Sequence, residues 1–173
     1  TSGVRVYTCS VCGETKAETI PATGLPSVCP GGPTCPGYAF RDMPAPGIWA
    51  HAGLDYCIYS GYINGLSATT VDPSGTCTRA QLVCILYRIQ GEPKVVEGYE
   101  LAKLRAPFDD VPRGQWYTNA ILWAKLTGIV NGTSATTFDP SGQITREQLA
   151  VMLLRYADLC GYDTSARTSL KDF

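Results

Sequence analysis

Eight cysteines in 173 residues are the first chemistry this chain offers. Four of them are crowded at the N-terminus as Cys9-x2-Cys12 and Cys29-x5-Cys35. Four thiolates in two close pairs can hold zinc in a tetrahedral site. The same four can instead close one or two disulfides, or stay as thiols. Cys57 and Cys84 fall at apolar positions of helical patterns and read as small buried hydrophobes. The single histidine, His51, has no serine or cysteine partner in a triad-like pattern and reads as a helix-surface residue. Two arginines stand out more. Arg79 and Arg146 each follow a threonine that opens a capping box, Thr78-x-x-Gln81 and Thr145-x-x-Gln148. In such a box the threonine oxygen accepts from the N3 amide, and the glutamine reaches back to the cap's own amide. Each arginine is then the first residue of a helix, where the macrodipole disfavours a cation. A guanidinium beside free helix amides suits a carboxylate ligand. The competing role is a salt bridge to Asp42 or Asp110 of a neighbouring repeat.

The elements that must position these groups are written twice. Residues 61–82 recur 67 residues later as 128–149, with 15 of 22 positions identical. A fixed period of this kind marks stacked supersecondary units that share a core. Each repeat opens alike, Phe40-Arg-Asp-Met-Pro…Trp49 and Phe108-Asp-Asp-Val-Pro…Trp116. Trp116, Ala120, Trp123, Ala124 and Thr127 lie on one helical face, with Gly128 placed to take the left-handed C-cap conformation. Asp72-Pro-Ser-Gly75 and Asp139-Pro-Ser-Gly142 are β-turn signals. They lack the alternating acidic ligands of a calcium loop. Leu149, Met152, Leu153 and Tyr156 then give a second apolar face, matched by Leu82, Ile85, Leu86 and Ile89. Each repeat therefore reads as helix, loop, helix.

The boundaries follow: a Cys-rich segment at 1–37, repeat one at 38–91, a linker at 92–107, repeat two at 108–163 and the start of a third repeat at 164–173. In the first segment Val4 to Cys9 alternates like a strand, with Thr15 to Ile20 as its hairpin partner and Cys12-Gly13 in the turn. Residues 25–37 hold four prolines and three glycines and should be irregular. The linker piece 98–105 is amphipathic and fits a helical turn. Phe173 stands where a third repeat would open, so the expectation is a truncated set of repeats, or one completed by another chain.

Composition narrows the function classes. A hydrophobic content of 45% supports a packed core. A net charge of −1 without a Lys/Arg run argues against nucleic acid. No apolar run approaches the roughly 20 residues of a membrane-spanning helix. The opening residues lack the basic and apolar parts of a signal peptide, so an exported chain would be met here as a mature product or a piece. No acid/base pair, nucleophile constellation or phosphate loop points to an enzyme.

The ordered motifs Phe-x-Asp-[Met/Val]-Pro…Trp, Gly-[Tyr/Ile]-[Ile/Val]-Asn-Gly and [Val/Phe]-Asp-Pro…Thr-Arg-[Ala/Glu]-Gln, found twice between Tyr38 and Phe173, resemble the S-layer homology (SLH) domain family. Residues 7–24 resemble small repeats that precede such domains in surface proteins of Gram-positive gut anaerobes. The resemblance implies a mainly α fold, here an incomplete pseudo-threefold bundle with a small Cys-rich β or irregular N-terminal segment. It implies an extracellular, cell-wall location and non-covalent anchoring of a surface protein to secondary cell wall polysaccharide linked to peptidoglycan. In the family this often means recognition of a pyruvylated N-acetylmannosamine end, whose ketal carboxylate would suit the arginines.

The carbohydrate-binding set implied by the resemblance is Arg79 and Arg146, Trp49 and Trp116, Asp42 and Asp110, Gly65 and Gly132, and Gln81 and Gln148. Gln81 and Gln148 stand where the family has glutamate, which keeps the helix start but removes a negative charge from each groove. Cys77 replaces the usual aliphatic residue before Thr78. Trp49 and Trp116 can stack on sugar rings or pack in the core; Trp123, whose counterpart is Tyr56, reads as core. The alternative to wall binding is a protein–protein assembly module, a homo-oligomer or one completed by a partner chain, because a missing repeat would expose apolar flanks. A third option makes the segment the anchor of a larger hydrolase whose catalytic domain lies elsewhere.

Overall fold

The structure is a computed structural model and describes residues 3–8, 15–20, 31–96, 99–100 and 103–165. The described residues are mainly helical. The chain forms two compact units, Thr1–Pro73 and Ser74–Phe173.

In the first unit, β1 (Gly3–Thr8) pairs antiparallel with β2 (Thr15–Ile20), Gly3 opposite Ile20 and Thr8 opposite Thr15. This is the hairpin that the alternation predicts; its turn lies outside the described residues. A short 3-10 turn at Pro36–Ala39 packs against helix α1 (His51–Tyr59). Helix α1 begins two residues after Trp49. The amide of Ile48 donates to the Ala45 carbonyl and that of His51 to the Ile48 carbonyl, so the chain runs through tight turns until His51.

The second unit holds α2 (Arg79–Ile89), α3 (Thr118–Leu126) and α4 (Arg146–Leu159). Both capping boxes are formed in full, with Thr78 and Thr145 accepting from the amides of Gln81 and Gln148. Helix α2 packs on α3. The core takes Val83, Leu86 and Tyr87 from α2, and Ala120, Ile121, Trp123 and Ala124 from α3. The Tyr87 and Trp123 rings lie 5.5 Å apart, and Trp123 is buried as the repeat alignment predicts. Cys84 is buried among these groups, and burial pushes its thiol pKa up to about 12. Cys57 on α1 is only half-buried.

The linker carries a two-residue antiparallel pair, β3 (Val95–Val96) with β4 (Tyr99–Glu100). Two consecutive valines are β-branched and stiff at χ1, which favours extended backbone at β3. Of the amphipathic piece 98–105, residues 98, 101 and 102 lie outside the described residues, and Lys103 has 3-10 backbone. No helix is long and apolar enough to cross a membrane among the described residues.

Candidate functional site

The same loop device is built twice, once in each unit. In the first, the Asp42 carboxylate accepts from the amides of Val71 and Asp72 at 2.9 and 2.7 Å. These amides hold its pKa below the ordinary 3.8, Val71 contributing most. In the second, Asp110 accepts from the amides of Phe138 and Asp139 at 2.8 and 2.7 Å. Each aspartate thus pins the return of its loop immediately before the Asp-Pro-Ser-Gly turn. That turn is closed at 139–142 by the Gly142 amide on the Asp139 carbonyl, 3.2 Å. Asp72 and Asp139 enter their turns with φ of 53° and 58°. Aspartate tolerates this left-handed region better than most residues.

Gly65 and Gly132 are the other fixed points. Their φ values are 78° and 94°. A Cβ at Gly65 would stand 2.5 Å from Cε1 of Phe40, and one at Gly132 would stand 2.6 Å from Cε1 of Phe108. The opening phenylalanine of each repeat therefore seats directly on its glycine, and no side chain fits between them.

The two motif arginines share a helix position and differ in surroundings. Arg79 is only 4% exposed. Its Nε donates to the Phe138 carbonyl at 2.8 Å, and its guanidinium lies 4.6 Å from the Phe138 ring centroid. Desolvation lowers its pKa, opposed by the charges of Asp139 and Asp110. The competing role, a salt bridge to Asp42 or Asp110, is replaced at Arg79 by a hydrogen bond to a carbonyl, with Asp139 and Asp110 as a supporting field. Arg146, at the same place on α4, is exposed and makes no hydrogen bond or ion pair among the described residues. Gln81 and Gln148 are both engaged in their capping boxes.

Trp49 is 94% exposed and Trp116 62% exposed, so neither is a core residue. Each sits on the turn before its helix, and Trp116 makes an edge contact with Tyr117 at 5.2 Å. Within the second unit, Arg79, Asp110 and Phe138 come together, with Asp139 beside them.

The proposed zinc ligands Cys9, Cys12 and Cys29 lie outside the described residues. Cys35 is buried, and its neighbours are His51 and Asp55. His51 is accordingly not a surface residue: it is 3% exposed, and its Nδ1 lies 2.5 Å from the Pro44 carbonyl oxygen. The signal that could have found this pair is the His51-x3-Asp55 spacing, which puts both side chains on one helix face.

Residues 39–83 and 107–150, together about half of the chain, match the S-layer homology domain. The chain is 29% identical over 127 residues to an exoglucanase of Acetivibrio thermocellus, covering 72% of this chain and 11% of that protein. It is 28% identical over 118 residues to an S-layer protein of Bacillus thuringiensis subsp. finitimus, covering 68% of this chain and 13% of that protein. It is 39% identical over 93 residues to an endoglucanase of a Bacillus species, covering 54% of this chain and 9% of that protein. The chain therefore spans about a tenth of the length of these relatives. With both repeats matched in order, the chain belongs to the S-layer homology domain family, whose members anchor proteins to the wall at the bacterial cell surface.

Proposed function

We propose that this chain is a non-catalytic anchor that binds secondary cell wall polysaccharide at the Gram-positive surface. Arg146 carries the reading: it is an exposed cation at the first position of α4, unpartnered among the described residues. The macrodipole disfavours a cation there, so the guanidinium gains nothing from its own helix. An acidic sugar substituent, such as a ketal carboxylate, would meet both the planar fork and the nearby helix amides. Exposed Trp116 offers an aromatic face to a sugar ring. Its relatives with enzyme names share only about a tenth of their length with this chain, which supports an anchoring role rather than a catalytic one. The test is co-sedimentation with wall sacculi before and after acid removal of the polysaccharide. Binding lost on stripping supports the reading, and equal binding to stripped walls overturns it.

A second reading, assembly with another protein chain, is favoured by α4. Val151, Leu153, Leu154 and Leu159 are each more than two-fifths exposed. Apolar surface of this extent marks contact sites. Light scattering across a concentration series tests it: a strict monomer removes self-assembly from consideration.

A further inference from the structure

We propose that Cys35, His51 and Asp55 form a divalent-metal site, suited to zinc, that ties the 31–37 segment to helix α1. The Cys35 sulfur lies 3.6 Å from His51 Nε2 and 2.9 Å from Asp55 Oδ1. The three donor atoms all fall within 4.8 Å of one another. Cys35 is 7% exposed and His51 3% exposed, so the cluster is largely withdrawn from water.

The orientation of the imidazole is set from behind. Its Nδ1 faces the Pro44 carbonyl, which can only accept, so Nδ1 carries the proton. Nε2 then presents its lone pair toward the sulfur and the carboxylate. A histidine whose far nitrogen donates to a backbone carbonyl is the usual supporting arrangement of a metal ligand. The same observation argues against a thiol–imidazole–carboxylate relay. In a relay the carboxylate sits on the far nitrogen, whereas here it touches the sulfur directly. Sulfur, nitrogen and oxygen converge on one point instead of forming a line.

The donor set and spacing fit zinc. Bonds of about 2.3 Å to sulfur and 2.0–2.1 Å to nitrogen, at a tetrahedral angle, separate the two ligands by about 3.5 Å. The observed sulfur–nitrogen separation is 3.6 Å. The shorter sulfur–oxygen distance is that of a thiol donating its proton to the carboxylate. On metal binding that proton leaves for solvent and the cation takes its place between the two atoms. Asp55 is held ready by the Gly37 amide, which donates to Oδ1 at 2.8 Å. A Cβ at Gly37 would stand 2.8 Å from Cε of Met43, so the close turn that brings this amide in leaves little room for a side chain. A water or one further protein donor completes the tetrahedron.

The repeat itself does not require these groups. Aligned on Trp49 and Trp116, the places of His51 and Asp55 are taken in repeat two by Thr118 and Leu122, both buried. Ionisable ligands at the same fold positions in one repeat only indicate an added purpose. The site also differs from a four-cysteine cluster, since it takes one thiolate, one imidazole and one carboxylate.

The test uses the full chain, reduced and stripped of metal, with zinc and cobalt(II) as probes. Zinc is titrated against a competing chelator, and cobalt reports thiolate ligation by its near-ultraviolet charge-transfer band. Three variants are compared with the parent after circular dichroism has verified their helicity: a C9S/C12S double variant, H51Q and D55N. D55N is isosteric and can keep the Gly37 hydrogen bond, so it stays informative if another variant misfolds. The expected result is one metal per chain in the parent and in C9S/C12S, with at least about 10-fold weaker binding in H51Q and D55N. Loss of the metal in C9S/C12S, parental affinity in folded H51Q and D55N, or no binding by the parent would overturn the proposal.

Discussion

Arg79 donates through Nε to the carbonyl oxygen of Phe138 at 2.8 Å while its guanidinium lies over the same residue's ring. The first residue of α2, within repeat one, is thereby locked into the loop of repeat two. Its sequence counterpart, Arg146, has no such cover among the described residues. One motif thus yields a cation engaged in holding the structure and a cation presented to solvent.

Arg79→Ala should therefore behave as a core substitution. It removes a buried charge-assisted hydrogen bond and a cation–π contact, and leaves the Phe138 carbonyl without its side-chain donor. The expected loss is about 2–4 kcal/mol in urea-monitored unfolding. Arg146→Ala, by contrast, should change stability by no more than about 0.5 kcal/mol.

Gly132→Ala should be among the most damaging single-methyl additions in the chain. The backbone is left-handed there, and the added Cβ would meet the Phe108 ring at 2.6 Å. Strain and overpacking together predict a loss of about 2–5 kcal/mol, read as a lower urea midpoint with an unchanged slope. Gly128→Ala, left-handed as well but with no atom near its missing Cβ, should cost less, and the difference isolates the steric part.

The Asp42 loop should loosen in acid. Its folded pKa lies below the ordinary 3.8, because the Val71 and Asp72 amides favour the charged form. A depressed carboxylate pKa contributes stability that is full above the unfolded value. That stability is lost as pH falls from about 4 through the lower folded value. Amide exchange or NMR line shapes of Val71 and Asp72 should show the opening below pH 4, and Asp42→Ala should show it at neutral pH.

Gln148→Glu should keep the capping box and add a negative charge at the N-terminus of α4. The expected effect is a gain of about 0.3–1 kcal/mol, whereas Thr145→Ala should cost about 1 kcal/mol. Thermal unfolding of the two variants beside the parent measures both.

Local signals were readable from the sequence. The capping boxes at Thr78 and Thr145, the Asp-Pro-Ser-Gly turn at 139–142 and the left-handed Gly128 each depend on a few adjacent residues. The hairpin of β1 and β2 was legible for the same reason. What the sequence hid was set by long-range contact. Arg79 and Arg146 have the same neighbours in the chain, and only the approach of the 138–142 loop separates a buried guanidinium from an exposed one. His51 looked like a surface residue because its partner Cys35 is 16 positions away. Trp49 and Trp116 fit a helical pattern, but the turns before His51 and Thr118 delay each helix until the rings stand in solvent.

In the proposed reading, the folded chain holds wall polysaccharide through Arg146. The most direct measurement is a pair of binding isotherms on intact sacculi, one for the parent and one for Arg146→Ala with unchanged unfolding behaviour. Loss of a charge-assisted contact predicts about 10- to 100-fold weaker binding by the variant. Superimposable isotherms for the two proteins would contradict it.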